Sequence, residues 1–594
     1  MRNLELGVIG NCAFCALVDE RAEMVWTCLP RFDGDPVFCS LLQSEGDSDK
    51  GYFGIELADF ASSEQRYERN TAILVTTLHD KNGAVLEITD FAPRFKYLGR
   101  MFRPTTLIRR IRSLRGLPRI TLRLRPSGDY GARTPDTTSG SNHIRYLLPE
   151  QVLRLTTNAS TTALLDETPF LLEHEIVLIL GPDESLARPV EEVAREFHAE
   201  TSSYWREWVR YLSLPLEWQE AVIRSAITLK LSTFEDTGAV IAAATTSIPE
   251  SASSQRNWDY RFCWLRDSYF VVNALNRLGA TRTMEDYIHY VINIGSVSAD
   301  NHLCPVYRIN GRLDLDERTI TSLSGYRGIG PVRVGNDAYR QKQHDVYGAV
   351  ILAAAQAFFD ERLDRPGDMG LYARLEILGE IATKLFDQPD AGLWELRGSN
   401  HIHTFSSVMC WVACDRLARI GLRLGLTQRA AHWTQQAERL RNAILSRAWN
   451  EKRNSFTATF DGDSLDASLL LIAELGIVPA DDPRFAATVQ AVEKELKRRD
   501  YIFRYVQSDD FGEPQNAFTL CTFWYINALV LLGRRQEART IFEHMLARRT
   551  RLGLLSEHID PASGELWGNF PQTYSMVGII HSAMLLSKPW EQAF

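Results

Sequence analysis

The chain has 594 residues, which is too long for one ordinary hydrophobic core and indicates two or three domains. Its hydrophobic content of 45% and charged content of 24% are typical of a globular protein in water. The net charge of -9 argues against a nucleic acid or an anionic membrane as partner and is compatible with a neutral substrate.

Targeting and metal signals are weak in this sequence. The first residues include Glu5 and no long apolar run, so they do not resemble a signal peptide, and no apolar run of membrane-spanning length follows. The nine cysteines are scattered, which fits reduced thiols in the cytoplasm. Cys12 and Cys15 form one CxxC pair, but no second ligand pair follows. We therefore expect a cytoplasmic protein without a metal or cofactor, and the sequence leaves its oligomeric state open.

Residues 1–210 have the pattern of an antiparallel β-sandwich that ends in a linker helix. Short β-branched or alternating runs are separated by turn-forming residues such as those at 80–83 and 126–129. Strands are predicted at 84–89, 107–111, 120–124 and 176–180. The spacing of apolar residues then changes from period 2 to period 3.6, and residues 190–198 are predicted to be helical.

From residue 216 to 594 the pattern is that of helix after helix. Trp218, Val222 and Leu229 fall on one face of the first. Almost no strand-like run interrupts the series. This predicts either an α-barrel or an α-solenoid, and the lack of a clean sequence repeat weighs against the solenoid. Further helices are predicted at 270–278, 347–358, 372–385, 408–417, 430–449, 465–475, 518–532 and 538–546.

The segment Asn257–Phe270 mixes aromatic and charged residues more densely than any other. It reads Asn-Trp-Asp-Tyr-Arg-Phe-Cys-Trp-Leu-Arg-Asp-Ser-Tyr-Phe. A plain core would not carry four charges here, and a solvated surface would not carry two Trp and two Tyr. Sugars stack on aromatic rings and hydrogen-bond to carboxylates and guanidinium groups, so the segment fits a sugar site. A structural ion-pair cluster at the start of a helix is the alternative.

This segment resembles the signature of glycoside hydrolase family 15, the glucoamylase-type enzymes, which include bacterial trehalases and glucodextranases. The resemblance implies an N-terminal β-sandwich followed by an all-α (α/α)6 barrel. The opening segment, with Trp26, Arg31 and Asp33, resembles the N-terminal β-domain of the trehalase-like and glucoamylase-like bacterial members. These three residues could reach the site, although for Trp26 we favour a buried position within the sandwich.

Hydrolysis of a glucosidic bond needs two carboxyl groups, and Glu395 is the first candidate. It lies in Ala-Gly-Leu-Trp-Glu-Leu-Arg-Gly, a loop sequence at 391–398. An apolar neighbour such as Trp394 desolvates a carboxyl group, as a general acid at neutral pH requires. A loop carboxylate paired with Arg397 is the alternative. The segment resembles the family's Leu-Trp-Glu motif, which implies that Glu395 is the general acid.

Glu557 is the second candidate, in Gly-Leu-Leu-Ser-Glu-His-Ile-Asp at 553–560. This stretch, with Gly-Asn-Phe-Pro-Gln at 568–572, resembles the C-terminal signature of the family and implies that Glu557 is the general base. The alternative is a surface carboxylate. Asp560 is expected to order the loop rather than to react.

Further substrate-binding residues are predicted around these two. The resemblance implies that Arg266 and Asp267 bind hydroxyl groups of the nonreducing-end glucose and that Arg504 contacts the sugar. The Gly-rich loops at 323–328 and 331–336 contribute Tyr326 and Arg333, which are expected on the aglycone side. Trp264 and Trp394 complete the predicted set. Ser407 and the His-Ile-His at 401–403 depart from related sequences and put the aglycone preference in doubt.

The function predicted from these residues is inverting, exo-acting α-glucoside hydrolysis that releases β-glucose. A glucoamylase-like activity on malto- or isomalto-oligosaccharides is the first hypothesis, and a trehalase is the alternative. An inverting disaccharide phosphorylase has comparable architecture, but the Ser-Glu-His-Ile-Asp match argues against it. A non-catalytic sugar-binding protein is the remaining class, and the presence of both carboxylates disfavours it.

Overall fold

A computed structural model of the chain describes residues 3–44, 49–295, 302–363 and 365–592. The N-terminal part, up to Pro182, consists mainly of strands joined by short turns. In chain order the strands are β1 (Gly7–Gly10), β2 (Cys15–Val18), β3 (Met24–Cys28), β4 (Pro36–Phe38), β5 (Tyr52–Leu57), β6 (Phe60–Tyr67), β7 (Leu74–Asp80), β8 (Val85–Phe91), β9 (Phe95–Tyr97), β10 (Arg100–Phe102), β11 (Leu107–Arg115), β12 (Arg119–Arg125), β13 (Asp136–Ser139), β14 (His143–Leu147), β15 (Val152–Thr157), β16 (Phe170–Leu171) and β17 (Ile176–Pro182).

These strands form two antiparallel sheets, as the alternating sequence pattern predicts. One sheet has the order β1-β2-β3-β5-β12-β16, with β4 paired to β3. The other has the order β13-β14-β15-β17-β11-β8-β7-β6, and β9 and β10 form a separate hairpin. Side chains from both sheets, among them Phe53, Leu122, Ile88 and Leu178, form one apolar core between them. The predicted β-sandwich is confirmed.

Two helices accompany the sandwich: a short α1 (Thr161–Leu165) and a long α2 (Val190–Arg210). Helix α2 extends twelve residues beyond the end that the sequence pattern predicts at residue 198. Val190, Val193 and Ala194 pack on Ile108 and Val177, on the sheet face that points away from the sandwich core. The helix therefore covers apolar surface that this sheet would otherwise expose.

Helices dominate the remaining chain. They are α3 (Gln219–Leu231), α4 (Leu265–Arg277), α5 (Thr281–Gly295), α6 (Asp345–Ala355), α7 (Met369–Leu385), α8 (Thr404–Arg423), α9 (Thr427–Arg447), α10 (Ile472–Leu475, preceded by the 3-10 turn Ala467–Leu471), α11 (Pro483–Leu496), α12 (Thr519–Leu531), α13 (Arg535–Ala547) and α14 (Thr573–Leu586).

Alternate helices form a closed inner ring. Helix α4 packs on α6, α6 on α8, α8 on α10, α10 and its preceding turn on α12, α12 on α14, and α14 on α4. The six others lie outside. An inner helix such as α12 is buried along nearly its whole length, whereas the outer α9 buries one stripe that includes Ala430, Ala437 and Ile444. The chain therefore has the predicted (α/α)6 barrel.

The β-sandwich and the barrel share a continuous core. Residues of β1–β3, among them Val8, Leu17 and Val25, pack into the same apolar cluster as the barrel helices. Trp26 is buried as expected, but in this shared cluster and not within the sandwich, and its indole N–H donates to the Ala244 carbonyl at 2.8 Å. Among the described residues no helix is long and apolar enough to cross a membrane.

One buried ion pair inside the sandwich should be essential for its stability. Arg109 donates to both carboxylate oxygens of Asp90, at 2.7 and 2.9 Å, and both side chains are fully buried. Burial raises the pKa of Asp90, and the Arg109 guanidinium opposes this effect. We expect Arg109→Met to cost about 3–5 kcal/mol, because it leaves a buried carboxylate unpaired.

Scanning calorimetry should report this as a large drop in the thermal midpoint. Arg112, three residues along the same strand, is the matched control, because it pairs with Glu87 while remaining 56% exposed. Arg112→Met should cost less than about 1 kcal/mol. Equal destabilisation by the two substitutions would contradict the assignment.

Candidate active site

A cavity lies at one end of the inner ring. Its lining comes from five loops, each of which leads from an outer helix to the next inner helix and supplies residues just before or at the start of α4, α6, α8, α12 and α14. The cavity therefore faces the N-terminal ends of inner helices. Unpaired backbone N–H groups and the helix dipole make this end favourable for carboxylates and for oxygen-rich ligands.

Glu395 lines the cavity from the loop between α7 and α8. A bridge between Asp390 and His401 closes the base of this loop, and Glu395 itself has a φ of 58°, in the left-handed region. Its Oε1 accepts a hydrogen bond from the indole N–H of Trp264 at 2.6 Å. The side chains of Arg266 and Gln343 each donate to the same atom at 3.4 Å. Because all three contacts fall on Oε1, Oε2 is the oxygen available to a ligand.

Trp394 contributes to the cavity wall in a different way from the one expected. Its indole N–H donates to Asp466 at 2.9 Å, and its ring packs at the edges of Phe518 and Trp524. The aromatic group hydrogen-bonded to the Glu395 carboxylate is therefore Trp264. The neighbour in sequence is directed elsewhere because the left-handed turn separates the two side chains.

Arg266 and Asp267 occupy the first turn of α4 and are both buried. The Arg266 guanidinium lies 3.4 Å from Asp267 and 3.5 Å from Asp345, besides reaching Glu395. The segment is thus an ion-pair cluster and also part of the cavity wall. The segment therefore has the ion pairs of the alternative interpretation, and its contact with a sugar stays a prediction.

Several polar atoms of this cluster are buried without a hydrogen-bond partner among the described residues. They are Asp267 Oδ1, Arg266 Nε and the hydroxyl of Tyr574, which also lines the cavity. Burial raises the pKa of Asp267 to about 7, against the opposing effect of Arg266. Unsatisfied buried polar atoms are costly, so their concentration in one cavity indicates groups that a ligand completes.

Glu557 lines the same cavity from the loop between α13 and α14, and it is 3% exposed. Its backbone N–H donates to the Asn569 carbonyl at 3.3 Å. His558 Nδ1 lies 3.4 Å from Glu557 Oε2. Gly568 packs so closely that an added Cβ would come within 2.9 Å of this oxygen. The carboxylate is therefore confined from two sides.

Arg504 also lines the cavity, but its guanidinium is occupied by a buried partner. It donates to the two carboxylate oxygens of Glu250 at 2.8 and 3.1 Å. His558 Nε2 lies 3.8 Å from the same carboxylate. Glu250 thus connects Arg504 to the residue beside Glu557. Direct contact between Arg504 and a sugar stays a prediction.

Tyr326 and Arg333 are not among the cavity-lining residues in the described part of the chain. Tyr326 is fully buried with its ring at the edge of Trp567. Arg333 lies over the face of Trp258, 4.6 Å from the ring centre, and pairs with Glu317. Arg333 therefore packs against Trp258, which lines the cavity, and does not itself line it. The Gly-rich sequence around Arg333 does not predict this contact.

Other cavity residues escaped the sequence analysis. Tyr574 lies two residues after the Gly-Asn-Phe-Pro-Gln motif, and Tyr260 lies inside the aromatic segment, so both are close to motifs that the sequence shows. Glu250 and Asp510 lie in ordinary polar loops with no such signal. No group of three or more His, Cys, Asp or Glu side chains in the described ranges is arranged to hold a metal ion.

Comparison with protein families identifies the architecture and the chemistry. Residues 218–584 match the family model described as glycosyl hydrolases family 15, and residues 4–147 match the trehalase-like N-terminal model. The chain belongs to glycosyl hydrolase family 15. It is thus a glycoside hydrolase of a family that cleaves O-glycosidic bonds with inversion by means of a carboxyl pair.

Curated relatives resemble this family 15 hydrolase along nearly their whole length. A protein named trehalase from Thermoplasma volcanium is 31% identical, with 98% of this chain and 93% of the relative covered. A trehalase from Mycobacterium tuberculosis is also 31% identical, with coverages of 97% and 88%. Among solved structures, a bacterial glucoamylase complexed with acarbose has a TM-score of 0.71 at 13% sequence identity. The superposition covers 98% of this chain and 94% of the glucoamylase chain. That likeness establishes the shared fold.

Asp267 provides a direct test of the buried polar cluster. If its carboxylate binds sugar hydroxyls, Asp267→Asn should lower kcat/KM on an α-glucoside roughly 10- to 150-fold, the equivalent of about 1.5–3 kcal/mol for a charged hydrogen bond. Steady-state kinetics checks this, with Asp314→Asn at an exposed carboxylate as the control. Unchanged kinetics in Asp267→Asn would mean that the pair with Arg266 is only structural.

Proposed function

We propose that this hydrolase cleaves α,α-trehalose into two glucose molecules, with Glu395 as general acid and Glu557 as general base. The observation that carries the chemistry is that two carboxylates from loops 162 residues apart in sequence (557 minus 395) line one cavity beside buried polar atoms without a hydrogen bond among the described residues. The choice of trehalose rests on the names of relatives that match both the β-domain and the barrel.

The acid step uses the free oxygen of Glu395. Its Oε2 delivers a proton to the glycosidic oxygen as the bond from that oxygen to the anomeric carbon breaks, and the bonding electrons stay with the departing glucose. The N–H groups of Trp264, Arg266 and Gln343 hold Oε1, so they fix the direction in which Oε2 points. They also stabilise the carboxylate that remains after the proton has left.

The base step uses Glu557. Its carboxylate takes a proton from a water molecule, whose oxygen bonds to the anomeric carbon from the face opposite the departing group. The close contacts with Gly568 and His558 restrict the movement of this carboxylate. Restriction of this kind preserves the geometry that an inverting reaction needs, since the water must fit between base and sugar.

The remaining wall of the cavity suits two sugar units. Asp267, Arg266 and Tyr574 line the cavity with buried polar atoms that lack a full hydrogen bond, and these can bind hydroxyl groups of the glucose that is transferred to water. Trp258 and Phe511 also line the cavity, with Arg397 3.9 Å above the Trp258 ring. An aromatic and charged surface of this kind fits the hydroxyl-rich second glucose of trehalose.

A substrate panel tests the proposal against oligosaccharide hydrolysis. Released glucose should be measured with trehalose, maltose, isomaltose, maltotriose, starch and dextran. We expect the highest kcat/KM on trehalose. Higher kcat/KM on maltotriose or starch would replace the proposal by a glucoamylase-like activity. The same assay with and without inorganic phosphate should show no glucose 1-phosphate, because its formation would indicate a phosphorylase.

The anomers released from trehalose test inversion. Inversion yields one β-glucose from the unit that water attacks and one α-glucose from the departing unit, so proton NMR before mutarotation should find both in equal amounts. Only α-glucose at early times would indicate retention and would assign Glu557 a nucleophilic role.

Single substitutions test the roles of the two carboxylates. Glu395→Gln should lose roughly 100- to 10,000-fold in kcat on trehalose but much less on α-glucosyl fluoride, because fluoride leaves with little protonation. Glu557→Gln should be impaired on both substrates, because each needs an activated water. Glu513→Gln, at an exposed position, is the control for both. Equal sensitivity of the two substrates to Glu395→Gln would contradict its role as acid.

A further inference from the structure

A tight turn at 509–512 lies beside the loop that carries Glu395. Asp509 begins the turn, its carboxylate accepts the Phe511 N–H at 2.8 Å, and its carbonyl accepts the Gly512 N–H at 3.1 Å. These contacts form a β-turn, in which Asp is favoured at the first position and Gly at the fourth. Asp509 also pairs with Arg256 and with the hydroxyl of Tyr505. The turn is therefore held by its own contacts.

The next residue of the turn, Asp510, contacts the Glu395 loop directly. Its Oδ2 accepts the backbone N–H of Arg397 at 2.9 Å and that of Gly398 at 2.7 Å. These are the second and third residues after Glu395. One exposed carboxylate thus joins two loops that lie 112 residues apart in sequence.

Gly398 leaves the room that this contact needs. A Cβ at that position would lie 2.1 Å from Asp510 Oδ1 and 3.0 Å from its Cγ, far closer than any real contact. A side chain at 398 would therefore push the carboxylate away from the two N–H groups. The glycine ends the loop sequence at 391–398 that carries Glu395, whereas the aspartate belongs to no motif.

The contact matters because Glu395 has a backbone conformation that side-chain-bearing residues rarely adopt. Its φ of 58° lies in the left-handed region, which is unfavourable for Glu and has to be maintained by surrounding contacts. Upstream, the Glu395 N–H donates to the Gly392 carbonyl at 3.2 Å. Downstream, the Gln341 side chain donates to the carbonyls of Glu395 and Leu396 at 3.2 and 3.3 Å, and Asp510 holds the N–H groups of the two residues that follow.

We propose that Asp510 is a positioning residue for proton transfer by Glu395. It acts by fixing the backbone after the left-handed residue, so that Glu395 Oε2 is aimed at the glycosidic oxygen. This inference rests on the proposed function, since it takes Glu395 as the acid. Asp510 also lines the cavity, so the test must separate this role from direct binding of the second glucose.

The experiment measures kcat and KM of the full-length enzyme on trehalose and on α-glucosyl fluoride. We expect Asp510→Ala to lower kcat on trehalose about 10- to 100-fold, the size of effect that a small misplacement of a catalytic group produces. KM for trehalose and turnover of α-glucosyl fluoride should stay within about twofold of the wild type.

Two further variants identify the contact itself. Gly398→Ala should reproduce the effect of Asp510→Ala, because it displaces the carboxylate without removing it. Asp510→Asn should recover most of the activity, because its amide oxygen can still accept both N–H groups. Glu513→Ala, at an exposed residue of the same loop, is the control and should match the wild type on both substrates.

The outcomes are distinguishable. A higher KM alone in Asp510→Ala would assign the residue to binding of the second glucose and overturn the proposal, as would equal losses of kcat on the two substrates. Unchanged kinetics in Asp510→Ala would overturn it as well. Glu395→Gln, measured alongside, reports on the proposed function. If this variant loses activity equally on trehalose and on α-glucosyl fluoride, the acid assignment fails independently of Asp510.

Discussion

The buried pair of Asp259 and Arg261 is the interaction on which the site depends. Arg261 donates to both oxygens of Asp259, at 2.9 and 2.7 Å, and neither side chain is exposed. The same guanidinium reaches the Gly34 carbonyl at 2.8 Å and the Tyr130 hydroxyl at 3.0 Å, both in the β-domain. A single fully buried cation thus joins the sandwich to the segment that leads into helix α4. Such a charge is tolerated only when all its donors are satisfied, so the geometry is strongly specified.

The polar groups of the cavity differ from this buried pair in how many of their atoms are hydrogen-bonded. Around Arg261 almost every polar atom is paired, whereas Asp267 Oδ1, Arg266 Nε and the Tyr574 hydroxyl have no hydrogen-bond partner among the described residues. Native structures keep such atoms mainly where function requires them.

The sequence predicts the fold well where one periodicity dominates. The apolar stripe of α9 can be read from the sequence, because this helix buries one face only. Helices α5, α11 and α14 were not predicted. Helix α14 is apolar nearly all round, since it belongs to the inner ring, and such a segment lacks a distinct face. Helix α11 carries a start signal, Asp482 followed by Pro483, that the periodicity analysis did not use.

The site residues differ in the same way: the local sequence indicates some of them, and contacts across the ring determine others. Glu395, Glu557, Arg266 and Asp267 lie in dense motifs, so their types and neighbours indicate the chemistry. The partner of Glu395 could not be read in this manner, because Trp264 precedes it by 131 residues and reaches it only after the ring has closed. Trp394, adjacent in sequence, faces Asp466 instead. A motif therefore points to the carboxylates that line the cavity, whereas closure of the ring decides which groups contact them. Substrate preference within the family should accordingly vary with loops such as 509–512, whose residues belong to no motif and yet touch the cavity and the Glu395 loop at once.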